Sequence, residues 1–182
     1  MRLFRTRRRF VVVVTSLSTL AGMVLAGSAV ADTGVESGSA AQQAHSEAVA
    51  PGTPCGVSSR ACVDLETQRA WLIRDGRVSY GPVPIASGGA GRETPVGHSF
   101  RVYRKDADHR SGEYQDPDGR PAKMPFAVFF ADGGVAFHSG NVERSSEGCV
   151  RLDREPSRRF FDDLALGDKV QVVNASAERG GR

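Results

Sequence analysis

From Cys62 onward the apolar residues come in short runs fenced by Gly, Pro and Asp, and this fencing leaves the chain little choice but β-structure. Ala61 to Leu65 alternates in polarity, and Ala70 to Ile73 follows it. Asp75-Gly76 joins that run to Val78–Ala86, and an Asp-Gly pair between apolar runs favours a tight hairpin. Ser99 to Tyr103 alternates again. Phe126–Phe130 and Val135–His138 flank Asp132-Gly133-Gly134 as a second hairpin, and Lys169–Val173 makes a last strand. Residues 105–123 are polar and carry Gly112, Pro117, Gly119 and Pro121, which reads as a long loop serving as a lid or binding segment. Helical spacing occurs from about Glu155 to Leu164. There Asp153 is the expected N-cap, Pro156 sits in the first turn, Phe160, Phe161 and Leu164 form the buried stripe, and Gly167 ends the helix. The expected fold is mainly β, a β-sandwich or partly open barrel of seven or eight strands with one docked α-helix.

The N-terminus has a different character. Arg2, Arg5, Arg7, Arg8 and Arg9 precede an uncharged run from Phe10 to about Leu25, and Ala29-Val30-Ala31 offers small residues for a signal peptidase. This predicts a secretory signal peptide over residues 1–31, cut before Asp32. A transmembrane anchor is the alternative, against which stand the short run and its small-residue end. Thr6-Arg7-Arg8-Arg9-Phe10-Val11 also resembles a twin-arginine export motif. Residues 32–52 hold almost no large apolar side chain and read as a flexible tether, residues 53–176 as the domain, and residues 177–182 as a disordered tail. The whole chain is +3, but the signal holds five of its 24 basic and none of its 21 acidic residues, leaving 19 − 21 = −2. The basic character therefore belongs to the export signal and does not suggest a nucleic-acid partner.

Outside the membrane, close cysteine pairs oxidise. Cys55 and Cys62 are placed to close a small disulfide loop, and Cys149 is left over. It is a reactive thiol, a buried free thiol or a bridge to another chain. Its surroundings favour the first reading. Phe137-His138-Ser139-Gly140 precedes Ser146-Glu147-Gly148-Cys149-Val150-Arg151-Leu152, which brings an imidazole at a strand end near a thiol on a returning segment. On that strand Val135 and Phe137 face one side while Ala136 and His138 face the other. An imidazole within reach either removes the thiol proton or holds the thiolate as an ion pair. Gly148 permits a sharp turn, so that the amides around Gly148 and Cys149 point at an oxyanion. Ser139 is placed to orient the ring or bind substrate.

These residues resemble the L,D-transpeptidase catalytic family of the YkuD type. Besides the Ser-x-Gly-Cys-Val-Arg core, Thr94-Pro95-Val96-Gly97-x-Ser99-Phe100 is similar to the family's Thr-Pro-x-Gly-x-Phe segment, and Ala70-Trp71-Leu72 to its early strand. The likeness runs from about residue 60 to 175. It implies that Cys149 attacks the carbonyl of the third, diamino acid residue of a peptidoglycan tetrapeptide. D-alanine leaves, and a neighbouring stem's amine resolves the thioester to a 3→3 cross-link; water as acceptor gives an L,D-carboxypeptidase. Carried over by position, His138 is the base, Gly148 and adjacent amides line the oxyanion hole, Ser139 is a close partner, and Arg151 holds local structure or a substrate carboxylate. The family usually has histidine where this chain has Glu147. That carboxylate either raises the thiol pKa or faces His138 and stabilises its protonated form. A non-catalytic peptidoglycan-binding module is the alternative function.

His109 and Tyr114, in the polar 105–123 segment, are candidate substrate contacts, while His98 reads as a surface residue and Trp71 as core. The spacing of Asp106, Asp108, Asp116 and Asp118 does not fit a calcium loop, and Cys55 and Cys62 lack a nearby histidine for zinc, so no metal or cofactor is expected. The expected partner is the peptidoglycan stem peptide, with no membrane contact after signal cleavage. A monomer located at the cell wall outside the cytoplasm is expected.

Overall fold

The computed structural model describes residues 47–180. The expected signal peptide and residues 32–46 of the expected tether lie outside the described residues. The described strands are β1 (Ala61–Asp64), β2 (Arg69–Arg74), β3 (Arg77–Pro84), β4 (Gly97–Arg101), β5 (Arg104–Gln115), β6 (Pro121–Ala131), β7 (Val135–Ser139), β8 (Val150–Leu152) and β9 (Lys169–Val173). Two helices join them, α1 (Arg154–Asp163) and α2 (Ala175–Gly180). The first sheet runs β3-β2-β1-β9-β4 and the second β5-β6-β7-β8, so the fold is a two-sheet sandwich that does not close into a barrel. Most pairings are antiparallel; β1 with β9 and β7 with β8 are parallel. No helix among the described residues is long and apolar enough to cross a membrane.

Local sequence accounts for much of this. Asp75 and Gly76 both take positive φ, 50° and 71°, which is the turn an Asp-Gly pair makes between right-twisted strands. Central strands β1 and β9 are buried at every position, as expected for strands covered on both faces. The main core lies between the sheets and takes Leu72, Val128, Phe130, Phe137, Val170 and Val172, with Phe160 of α1 and its C-cap Leu164 closing one side. Phe137 is fully buried, its ring 4.7 Å from that of Phe130 and 5.1 Å from that of Phe160. Asp153 occupies the N-cap of α1, although its side chain makes no capping hydrogen bond.

Three expectations are corrected. Residues 105–123 are not a loop: they form most of the β5–β6 hairpin, whose turn at Asp116–Arg120 is held by the Asp116 carboxylate accepting from the Asp118 and Arg120 amides. β5 is the edge strand of its sheet and none of its residues is buried, so the sequence lacks the alternation of a half-buried strand. The end of the expected tether is packed rather than flexible. Val49 bridges to Gly56, Ala50 is fully buried, and the Glu47 carboxylate accepts from the Ser58 amide at 2.6 Å and from Lys169 Nζ at 3.1 Å. Residues 177–180, expected as tail, complete α2. Its first amides are satisfied by carboxylates, Ala175 N–H by Asp64 and Ser176 N–H by Glu66, and Glu178 meets His98 Nε2 at 2.7 Å.

Cys55 and Cys62 form a disulfide with Cα atoms 5.8 Å apart, fully buried beside Trp71, Ile73 and Val173. Closing so short a loop stabilises by about 2.5 kcal/mol on chain-entropy grounds. Cys55→Ser is therefore expected to lower Tm by about 5–10 °C. A calorimetric scan with and without reductant measures this, and equal melting in both would remove the bridge's contribution.

Candidate active site

β7 places His138 and the segment entering β8 places Cys149. The two strands run parallel in a register that pairs Phe137 with Val150 and His138 with Arg151. The alternation on β7 divides its neighbours as the sequence suggests. Phe137 enters the inter-sheet core with Val135 against it, whereas Ala136 joins Met124, Ala127 and Phe129 in a second cluster on which Cys149 packs. His138 and Cys149 line one cavity of about 380 Å³, walled by the β5–β6 hairpin through Ser111, Tyr114 and Met124.

His138 Nδ1 lies 2.9 Å from the backbone carbonyl of Ser139, which can only accept, so Nδ1 carries the proton and Nε2 is left as the basic nitrogen. Ser139 thus orients the ring through its carbonyl, not its hydroxyl. Burial pushes the His138 pKa down to about 4, opposed by the Ser139 hydrogen bond. Burial also pushes the Cys149 thiol above its ordinary value, while the Ala136 amide and the Arg151 charge pull it down. At neutral pH both groups are therefore uncharged. Of the two modes open to such a pair, proton removal at the moment of attack fits this site and a standing thiolate–imidazolium pair does not.

The turn before Cys149 depends on residues that sequence reasoning missed. Gly148 has φ of 111°, open to glycine but strained for other residues. Ser146 Oγ accepts from the Gly148 N–H at 3.2 Å and donates to the Cys149 carbonyl. Buried Thr94 donates Oγ1 to the Gly148 carbonyl and accepts from the Gly88 N–H, both at 2.9 Å. The Gly148 amide is thus committed to Ser146, which takes it out of the oxyanion donors expected of it. The signal for Thr94 was present in the Thr94-Pro95-Val96-Gly97 segment, but nothing in the sequence shows that its hydroxyl closes this loop.

Glu147 does not face His138. Its Oε2 lies 3.0 Å from Arg92 Nη1, and the same guanidinium donates to Tyr114 Oη at 2.6 Å. A carboxylate beside a thiol prefers the nearest cation, and Arg92 is held there by the 87–94 loop that hydrogen-bonds Ser146. Tyr114 and His109 both line the cleft at Cys149, and His109 is fixed by Asp106 at 3.1 Å and by its edge contact with Phe129 at 4.9 Å. Arg151 lines the cavity and donates to the Arg144 carbonyl at 3.3 Å. Its backbone pairs with Ala86.

Two stacked sheets, with a thiol and an imidazole delivered by adjacent parallel strands into one cleft, define the class of protein. The sequence model of the L,D-transpeptidase catalytic domain (YkuD) matches residues 58–172, and the chain belongs to that family. A probable L,D-transpeptidase ErfK/SrfK of Salmonella typhimurium is 26% identical over 133 residues, covering 62% of this chain and 43% of that protein. The crystal structure of an L,D-transpeptidase from Stackebrandtia nassauensis aligns with a TM-score of 0.56 and 28% identity over 63% of this chain and 54% of that one. An L,D-transpeptidase solved in complex with imipenem aligns with a TM-score of 0.55 and 25% identity, covering 62% of this chain and 57% of that one. This chain therefore spans about half of the length of these relatives.

Proposed function

We propose that this protein is an exported L,D-transpeptidase acting on peptidoglycan stem peptides at the cell wall, with L,D-carboxypeptidase activity when water is the acceptor. The observation that carries the reading is the shared cavity of Cys149 and His138, with Nδ1 held by Ser139 so that Nε2 is the base. Cys149 Sγ attacks the carbonyl of the stem's diamino acid as Nε2 takes the thiol proton. The tetrahedral oxyanion is met by the backbone amide of Cys149. The bond to the terminal D-alanine breaks, its nitrogen receives the proton from His138, and a thioester remains on Cys149. The amine of a second stem then attacks the thioester and gives its proton to His138. The new 3→3 amide forms, and the sulfur leaves as a thiol on recovering that proton. Membership of the family supports the reaction class; the neutral thiol and imidazole in one cavity support general-base activation within it. The arginine-rich head and small-residue cleavage site support export.

Imipenem is the probe to use, since a relative has been solved with it. Intact-mass spectrometry after exposure to imipenem is expected to show one covalent adduct, absent in Cys149→Ala. Defined tetrapeptide stems are expected to give cross-linked dimers with loss of D-alanine. Specific wall binding with neither adduct nor product would favour the non-catalytic module.

A further inference from the structure

Three residues with cationic side chains line the cavity that holds Cys149: Lys123 of β6, Arg144 of the loop after β7, and Arg151 of β8. Among the described residues no carboxylate lies within ion-pair distance of any of them. The acidic residue on this wall is Glu147, already neutralised by Arg92 at 3.0 Å. The cavity is thus positive on a protein whose mature charge is expected to be −2. Like charges gathered around a half-enclosed, partly apolar cavity repel one another, and that repulsion is relieved when an anion enters. The field already reaches the reacting atoms, because the Arg151 charge favours both the neutral His138 ring and the Cys149 thiolate.

We propose that Lys123 and Arg144 are specificity-determining residues. With Arg151 they select acyl donors that carry a free carboxylate near the attacked carbonyl over the same donors bearing a carboxamide. This rests on the reading of Cys149 as the nucleophile. Lys123 comes from the β5–β6 hairpin and Arg144 from the loop after β7, so two separate chain segments bring positive charge to the cavity that Cys149 lines.

Alkylation of Cys149 by iodoacetate and by iodoacetamide tests the inference without requiring turnover. The two reagents differ in charge, and their rate ratio cancels any change in thiolate fraction. Measured by intact mass, the ratio is expected to exceed that of a small neutral thiol by about tenfold, the effect of roughly three charges near 10 Å in a polar medium. Lys123→Gln/Arg144→Gln is expected to lower it by about threefold to fivefold. In wild-type protein the excess is expected to collapse in about 1 M salt, where the screening length falls to about 3 Å; this arm stands even if the double variant fails to fold. A wild-type ratio equal to the small thiol's, or one unmoved by both substitution and salt, would overturn the selectivity. An imipenem adduct together with that flat ratio would leave the transpeptidase reading intact, and a raised ratio without any adduct would do the reverse. Stems ending in carboxylate and in carboxamide complete the test, the first expected to react faster and equal rates overturning the proposal.

Discussion

His138→Ala is expected to slow imipenem acylation of Cys149 by about 10²- to 10⁴-fold, the usual contribution of a positioned general base. Two observations set the direction. Nε2 is the unprotonated nitrogen because Ser139 holds Nδ1, and the thiol, raised by burial, supplies little thiolate of its own at neutral pH. The pH dependence follows. With its pKa lowered to about 4, His138 stays neutral above that value and protonates below it, so acylation is expected to fall only as pH drops through about 4. A ring of ordinary pKa would instead lose activity near 6.5. Thiolate ultraviolet absorbance is the second readout: a standing ion pair would show it at neutral pH, whereas this site is expected to develop it only above the ordinary thiol range. Unchanged acylation in His138→Ala would remove the base role, and strong thiolate absorbance at pH 7 would replace it with the ion-pair mechanism.

Phe137→Ala is expected to cost about 3–5 kcal/mol of stability, because a fully buried aromatic ring leaves a cavity as well as losing its transfer free energy. The ring packs against Phe130 of the hairpin's inner strand and Phe160 of α1, so its loss unpins three elements together. Against a typical total of about 5–15 kcal/mol this is a large share. Urea unfolding reads it as a lower midpoint with unchanged slope. A loss below about 1 kcal/mol would show that the two sheets and α1 close over the gap, and that Phe137 does not anchor the strand presenting His138.

The elements most legible in the sequence were those governed by local chemistry. Asp75-Gly76 made its turn, the Lys169–Val173 run is β9 with the expected bounds, and the helix shifted by one residue at each end. The disulfide between Cys55 and Cys62 and the burial of Trp71 likewise followed from short spacing and apolar character. The inner half of β6 was legible as the Phe126–Phe130 run, but β5 and the outer half of β6 were not, because a strand with no buried face carries no hydrophobic period to read. Nor was β8, three residues long, whose strand character comes from pairing with β7.

The chemistry of the site divides along the same line. Residue types and near-neighbour spacing pointed to a histidine at a strand end and a spare cysteine after a glycine lining one cavity, because a strand's alternation and glycine's freedom are local properties. Protonation states, Thr94 as a brace for the turn, and Arg92 as the partner of Glu147 depended on chain segments tens of residues apart, and even the choice of the neighbouring Ser139 carbonyl over its hydroxyl as orienter waited on the folded backbone. Burial and charge proximity act through space, so only the packed sheets decided which of the chemically possible pairings occurs.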